Sequence, residues 1–194
     1  LGQAFSRVTV VHPHGAGRLE QELPPGVDSV SFPWPETTFS AVRLAGRSWL
    51  RRPAFVLDWL IRLAVYVMFN RRMLKTALET ARQDRYTLAA AYGFMAVRAA
   101  KLTAKRLGVP LVVRLFGVSL GLKGWSPLMR LAQFEEVLSF RCGAARWVIT
   151  EDGSGGAEAA TRLGIPPDKI VLLICGVDRP VASHAPQDRL DCRA

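Results

Sequence analysis

The sequence predicts an α/β fold in which a parallel β-sheet is covered by helices on both faces. Short apolar segments rich in β-branched residues alternate with longer segments of helical periodicity along most of the chain. Most of the short segments end in a turn that contains glycine, as strands that lead into loops commonly do. Parallel strands need helical crossovers, so this alternation indicates a doubly wound domain.

The composition is that of one folded, basic domain. The 194 residues include 26 Lys and Arg against 16 Asp and Glu, which gives a net charge of +10, and 49% are hydrophobic. This content excludes a wholly disordered chain. The basic residues are spread along the chain, so no nucleic-acid-binding arm is predicted. The three cysteines lack C-x-x-C spacing, which argues against a disulfide framework or a zinc cluster and favours a reducing compartment.

The sequence predicts a cytoplasmic protein with a possible membrane-facing surface. Residues 1–7 lead into a strand-like segment and not into an apolar leader. Asp58 and Arg62 interrupt the most apolar stretch, which falls short of the roughly 20 apolar residues of a membrane span. A later helix carries three basic residues on one stripe, Arg98, Lys101 and Lys105. Arg51, Arg52, Arg71 and Arg72 lie around the earlier apolar helix, which carries Trp59 and Phe69. The stripe, this helix and the net charge favour contact with the anionic inner face of a membrane.

The amino-terminal part of the chain predicts two strands and a long helix. Residues 8–11 form a β-branched run that stops at a His-Pro-His-Gly sequence. Residues 27–32 alternate apolar and polar side chains before a Pro-Trp-Pro sequence. The helix is expected over 53–83, because apolar residues recur there at helical spacing. Asp58 and Arg62 lie one turn apart in it and are expected to form an ion pair.

The remainder predicts four strands that alternate with three helices. The strands are expected over 86–92, 111–116, 147–150 and 170–174, and the helices over 94–107, 127–140 and 156–163. Ser126 is expected to cap the helix that begins at Pro127, where the missing N–H of proline costs nothing. Residues 179–194 are rich in Arg, Pro, Asp and Ser without periodicity, which predicts a linker or a loose tail.

Function is expected beyond the carboxyl ends of the strands, where open α/β sheets bind ligands. The loops there are at 12–15, 92–93, 116–117, 150–153 and 175–178, and they include Tyr92-Gly93 and Phe116-Gly117. Each contains a glycine, which lets backbone approach a ligand but is also an ordinary turn residue. They show no dinucleotide fingerprint, no P-loop and no G-x-S-x-G elbow. His12 and His14 lie on one side of an extended segment, but no third ligand is nearby and no metal site is predicted.

Five motifs between residues 107 and 178 resemble the amino-terminal, acceptor-side domain of family 4 glycosyltransferases. They are Leu-Gly-Val-Pro at 107–110, Arg-Leu-Phe-Gly at 114–117, Phe-Glu-Glu at 134–136, Trp-Val-Ile-Thr-Glu-Asp-Gly-Ser at 147–154, and a closing run from Leu-Gly-Ile-Pro at 163–166 to Cys-Gly-Val-Asp at 175–178. The resemblance implies a Rossmann-like domain, one half of a GT-B architecture. Cys175 stands where relatives have Asn, and Phe116 where many have His. No catalytic histidine is therefore carried over, and the catalytic residues stay unassigned.

The resemblance also implies a reaction and a substrate site. Family members transfer a sugar from a nucleotide-sugar donor to a hydroxyl of a glycan or lipid-linked glycan, with retention, usually without an essential metal and with no other cofactor. The expected substrate-binding residues are Arg114, Phe116, Gly117, Asp152, Gly153, Gly176 and Asp178. In this scheme Arg114 or Arg141 meets an anionic group, Asp152 bonds acceptor hydroxyls, and Gly117 permits close approach.

The expected domain spans residues 1–178 and lacks parts of the complete enzyme. It begins near the second strand of its relatives, so a sheet with an exposed interior edge is expected. Their donor-binding domain would follow residue 178, so no turnover is expected from this chain alone. Two alternatives stay open: a non-catalytic Rossmann-like binding or interaction module, and a dehydrogenase-like nucleotide domain, which the missing glycine fingerprint disfavours.

Overall fold

The computed structural model describes residues 7–13, 25–34, 55–118, 125–151 and 153–174. Within these ranges the chain forms six strands and five α-helices. The strands are β1 Val8–Pro13, β2 Val27–Phe32, β3 Ala89–Tyr92, β4 Leu111–Leu115, β5 Arg146–Glu151 and β6 Ile170–Ile174. The helices are α1 Phe55–Thr80, α2 Val97–Leu107, α3 Pro127–Ala132, α4 Phe134–Phe140 and α5 Gly156–Arg162.

The strands form two parallel sheets. β1 pairs with β2, while β3, β4, β5 and β6 form a four-stranded sheet in chain order. In the larger sheet Ala91 lies opposite Val113, and Val113 lies opposite Trp147. Neighbours in parallel register point to the same face, so these buried side chains share one side of the sheet. Parallel sheets flanked by helices confirm the predicted α/β, Rossmann-like class.

The helices that connect the strands of the four-stranded sheet pack on the face that carries the side chains of Ala91 and Trp147. Trp147 Nε1 donates to the carbonyl oxygen of Ser139 in α4 at 3.1 Å. A Cβ built on Gly156, the first residue of α5, would lie 2.6 Å from Ile149 Cγ2, so only glycine allows this helix to approach the sheet. From β3 to β6 each strand is added at the same edge of the sheet. Because crossovers between parallel strands are right-handed, the connecting helices all lie on the same face.

The opposite face of the sheet carries Val112, Arg114 and Val148, which are half-buried. The sequence predicts helices on both faces. In the described ranges, the connecting helices α2, α4 and α5 pack on the face that carries Ala91 and Trp147. The side chains of Val112, Arg114 and Val148 are therefore more exposed than those beneath the helices, where Val113 and Ile149 have no exposed surface.

A smaller core joins the two-stranded sheet to α1. Phe32 and Trp34 pack edge-on against Phe69 of α1, with ring centroids 5.4 Å and 5.1 Å from that of Phe69. Asn70, the buried residue directly after Phe69, bonds to α2, because Ala99 N–H donates to Asn70 Oδ1 at 2.8 Å. Helix α1 thus packs against both parts of the fold.

The two sheets do not share a backbone ladder within the described ranges. β1 instead contacts the segment before β3 through side chains. The hydroxyl groups of Thr9 and Tyr86 lie 2.8 Å apart, and Arg7 Nη1 donates to Asp84 at 2.9 Å. The sheets are therefore held together by these side chains and by α1.

The third predicted helix is divided into α3 and α4, which meet at Gln133. The backbone of Gln133 leaves the helical region, with φ −105° and ψ 42°. Trp59 Nε1 donates to Leu131 O at 2.9 Å, and Arg62 Nη1 donates to Ala132 O at 3.0 Å. In a continuous helix those carbonyl groups would accept bonds from the following turn. Side chains of α1 replace the bonds that the break removes, so the prediction of one helix is wrong.

Arg62 pairs between helices and not along α1. Its Nη2 lies 2.8 Å and 2.9 Å from the two carboxylate oxygens of Glu135 in α4, instead of pairing with Asp58 as predicted. The tertiary contact between α1 and α4 decides this partner. The predicted cap of α3 is confirmed, because Met129 N–H donates to Ser126 Oγ at 3.2 Å.

Candidate functional site

The carboxyl ends of β3 and β4 bring an arginine between two aromatic rings. Tyr92 and Arg114 are register partners, so their side chains leave the same face of the sheet. The guanidinium carbon of Arg114 lies 4.8 Å from the ring centroid of Phe116 and 5.8 Å from that of Tyr92. Both distances are within the range of attraction between a cation and an aromatic ring. The two rings therefore orient the guanidinium group.

This cluster has the chemistry of an anion-binding site with apolar walls. Arg114 Nε is buried and has no hydrogen-bond partner among the described residues. A buried donor without an acceptor costs about 1–3 kcal/mol, so an acceptor oxygen from a ligand would be favourable here. The planar guanidinium group matches the geometry of a carboxylate or a phosphate. Tyr92 and Phe116 are 50% and 48% exposed, so neither residue is covered by the rest of the described chain.

Two glycine turns lie beside this cluster at the same edge of the sheet. Gly117 follows β4 with φ 57°, and Gly153 follows β5 with φ 80°, a region that other residues rarely adopt. A Cβ on Gly153 would meet no atom within 4 Å, so the backbone angle alone accounts for glycine there. Val118 N–H donates to Ser154 Oγ at 2.8 Å, and this buried bond ties the two loops together.

The structure brings together the described members of the predicted substrate site. Arg114, Phe116, Gly117 and Gly153 all lie at the carboxyl edge of the four-stranded sheet. The other three predicted residues, Asp152, Gly176 and Asp178, lie outside the described residues. The topology thus agrees with a shared site, and the binding role of each of the seven residues stays a prediction.

Arg141 is not part of this site. It follows α4 and precedes β5, so it lies at the amino edge of the sheet, opposite to the edge that carries Arg114. The backbone confirms this placement, because Ala145 N–H donates to the carbonyl oxygen of Leu111, the first residue of β4, at 2.8 Å. The expectation that Arg141 shares the role of Arg114 is therefore wrong for this fold.

The acidic residues of the Phe-Glu-Glu sequence hold helices together. Glu135 is buried and binds Arg62 through both carboxylate oxygens. Burial raises the pKa of Glu135 above its usual value, although the charge of Arg62 lowers it. Both groups are engaged with each other between α1 and α4, which makes this pair structural.

His12 is held by protein groups and not arranged as a metal ligand. Its Nε2 lies 2.6 Å from Ser29 Oγ and its Nδ1 lies 3.0 Å from the carbonyl oxygen of Pro13. In the part of the chain that the structure describes, no three His, Cys, Asp or Glu residues cluster as a metal site would require. His14 lies outside those ranges.

Sequence reasoning missed Tyr92 as a wall of the site. The sequence places Tyr92-Gly93 among the strand-end loops but gives Tyr92 no binding role, while Phe116 is named through the family motif. The role of Tyr92 follows from the strand register, because the parallel pairing of 89–92 with 111–114 places Tyr92 directly beside Arg114. That register is a long-range property, which the local pattern does not contain.

Comparison with known proteins agrees with the fold and with the motifs. Residues 1–176 match the family model described as a glycosyl transferase 4-like domain. No curated protein matches the chain. The family match takes in both sheets, the Arg114 cluster and the glycine turns, and it supports the resemblance seen in the sequence. Because the match covers nearly all of the 194 residues, this chain belongs to the family of glycosyl transferase 4-like domains.

Proposed function

We propose that this chain is the acceptor-side domain of a retaining glycosyltransferase. The enzyme moves a sugar from a nucleotide-sugar donor to a hydroxyl group of a glycan or lipid-linked glycan. Membership in the family supports a transferase function. The observation that carries the proposal for the site is the oriented Arg114 between the half-exposed rings of Tyr92 and Phe116, at the edge where α/β sheets bind ligands.

Each site residue has a distinct part in this proposal. Arg114 binds an anionic group of the substrates, such as a phosphate, through charge-assisted hydrogen bonds. The rings of Tyr92 and Phe116 pack against the apolar face of a sugar. Backbone at Gly117 and Gly153 approaches the substrate closely because no side chain intervenes. Fixed donors of this kind stabilise charge that develops during transfer, so the scheme assigns no metal and no organic cofactor.

The proposal also requires a second, donor-binding domain for turnover. The resemblance assigns the nucleotide-sugar site mainly to that other half of the architecture. The strand-end loops of this chain then form one wall of a cleft, and Asp152, Gly176 and Asp178 belong to that wall. The location is the cytoplasm, as predicted from the sequence.

A turnover assay tests the need for the second domain. The purified chain is incubated with UDP-glucose, UDP-galactose or GDP-mannose together with oligosaccharide or polyprenyl-phosphate acceptors. We expect no acceptor-dependent release of UDP or GDP. Sugar transfer by this chain at rates typical of enzymes would contradict the two-domain requirement.

A binding experiment tests the role of Arg114. Glucose 1-phosphate is titrated into the chain, and the aromatic resonances of Tyr92 and Phe116 are followed by NMR. We expect Arg114→Met to weaken binding by about tenfold or more, which corresponds to about 1.4 kcal/mol. The matched control is Arg106→Met, an exposed arginine near the end of α2 at the opposite edge. Equal binding by both variants would remove Arg114 from the site and favour the non-catalytic binding module.

A further inference from the structure

Helices α1 and α3 each expose large apolar side chains to solvent. Seven such side chains are 47–61% exposed, namely Val56, Leu57, Leu60, Ile61 and Met68 of α1 and Leu128 and Leu131 of α3. The two helices touch, because Trp59 Nε1 donates to the carbonyl oxygen of Leu131. Isolated exposed leucines are ordinary, but Val56, Leu57, Leu60 and Ile61 are neighbours on successive turns of one helix. Such a group, together with the exposed leucines of the adjoining α3, marks an interaction surface. We call it the α1–α3 surface.

Basic residues continue the same stripe of α1. Leu57, Ile61 and Met68 recur at helical spacing, and Arg71 and Lys75 follow on that line. Both basic residues are exposed. Arg130 of α3 adds a third exposed positive charge beside Leu131. The surface is therefore apolar at one end and positively charged along its border, on a chain of net charge +10.

This pattern fits the interface of an anionic lipid bilayer. Apolar side chains enter the region between headgroups and acyl chains, while Lys and Arg attract anionic headgroups. No helix in the described ranges is long and apolar enough to cross a membrane. The contact would therefore lie in the plane of the membrane surface, along α1.

The position of the α1–α3 surface relates it to the candidate site. Helix α1 leads into β3, so its carboxyl end lies at the amino edge of the sheet and its first half lies toward the carboxyl edge. Helix α3 follows the loop that leaves the carboxyl end of β4. The apolar part of the surface thus lies at the same edge as Arg114 and Phe116.

We propose that the α1–α3 surface docks on an anionic membrane, with Leu57, Leu60 and Ile61 inserted among the headgroups. The sequence suggests both the basic stripe of α2 and the apolar helix α1 for this contact. We place it on α1 and α3, because the stripe of α2 offers charge without large exposed apolar neighbours of its own. A membrane at this edge would present a lipid-linked acceptor to the Arg114 cluster. That last link rests on the proposed function, whereas the docking itself does not.

Vesicle flotation tests the docking. The chain is mixed with vesicles of phosphatidylcholine alone or with an equal share of phosphatidylglycerol, and the bound fraction is measured. We expect binding to the anionic vesicles. The triple variant Leu57→Ser, Leu60→Ser, Ile61→Ser is expected to lose at least about tenfold in partitioning. The matched control is Val171→Thr, Leu172→Thr, Leu173→Thr, which removes apolar groups of comparable exposure from β6 and is expected to bind as the unchanged chain does.

Three results would overturn the proposal. One is the absence of binding to anionic vesicles by the unchanged chain. Another is full binding by the α1 variant together with loss of binding in Arg98→Glu, Lys101→Glu, Lys105→Glu, which would place the contact on α2. The third is a dimer in light scattering that the α1 variant converts to a monomer, which would make the surface an interface between two copies. Circular dichroism verifies that each variant folds.

The flotation assay and the sugar-binding assay test the two proposals separately, so either proposal can fail while the other holds. Arg114→Met is expected to float with anionic vesicles as the unchanged chain does, because Arg114 lies outside the α1–α3 surface. Docking without sugar binding would retain the membrane proposal and remove the proposed function. Sugar binding without docking would do the reverse.

Discussion

The four-stranded sheet and the two-stranded sheet are both parallel, but they are stabilised by different means. The larger sheet buries a continuous row of aliphatic and aromatic side chains, including Val113, Trp147 and Ile149, beneath its helices. The smaller sheet relies on the cluster of Phe32 and Trp34 with Phe69 of α1. Two strands alone are marginal in water. The comparison teaches that β1 and β2 depend on α1, whereas β3 to β6 contain their own core.

A second comparison, between the two faces of β4, separates the core from the candidate site. Along β4 the side chains of Val113 and Leu115 are fully buried, while Arg114 between them points to the other face and Phe116 after them is half-exposed. Alternation along one strand therefore places the core on one face and the proposed ligand contacts on the other. Substitutions on the two faces of β4 are expected to have separable effects on folding and on binding.

The largest expected effect comes from the core of the larger sheet. Ile149→Ala removes a side chain with no exposed surface, and we expect the free energy of unfolding to fall by about 2–5 kcal/mol. Urea unfolding followed by far-UV circular dichroism measures it. Val171→Ala on the neighbouring strand β6 is the control, because Val171 is 41% exposed, and a smaller loss is expected there. Equal losses at the two positions would contradict the assignment of the core.

Phe69→Ala tests the dependence of the smaller sheet on α1. The substitution removes the ring that contacts both Phe32 and Trp34. We expect the opening free energy of β1 and β2 to fall by about 2 kcal/mol or more, because each aromatic pair contributes about 0.5–1.5 kcal/mol beyond burial of its area. Hydrogen exchange of individual amides measures this opening. Uniform loss of protection across β3 to β6 as well would show that the two sheets unfold as one unit.

Asn70→Ala tests the bond between α1 and α2 that joins the two regions. The variant leaves the buried Ala99 N–H without its acceptor, so a loss of about 1–3 kcal/mol in unfolding free energy is expected. Thr80→Val is the control on the same helix, because it removes a local bond to Thr76 O that lies near the end of α1. A loss at Asn70 no greater than that at Thr80 would mean that the bond contributes little to the docking of the helices.

The pH dependence of Glu135 has the smallest expected effect. Burial raises the pKa of this carboxyl in the folded state, so the folded protein binds the proton more readily than the unfolded chain does. The resulting stability is fully present below the unfolded pKa and is lost as the pH rises through the folded pKa. Urea midpoints of the unchanged chain and of Glu135→Gln are compared between neutral and mildly acidic pH. We expect the unchanged chain to gain stability relative to the variant as the pH falls, and a relative loss would contradict the burial argument.

Much of the fold could be predicted from local pattern. The strands at 27–32 and 170–174 were predicted with the bounds that the structure has, since β-branched residues and turn residues mark both ends of each. The break at Gln133 could not be predicted, because its cause is hydrogen bonding by Trp59 and Arg62, which are remote in sequence. Four of the five described residues of the candidate site followed from the family motifs, whereas the place of Tyr92 beside Arg114 needed the register of β3 and β4. The four are Arg114, Phe116, Gly117 and Gly153.

The sequence by itself determined the α/β class, the order of strands and helices, and the family, because these depend on periodicity, turn residues and motifs that are local along the chain. Only the tertiary structure decided which partners meet: Arg62 with Glu135, Tyr92 with Arg114, and Trp59 of α1 with the backbone of α3. The physical reason is that side-chain partners are chosen by register and helix packing, which are set by burial of the whole core rather than by neighbours in sequence.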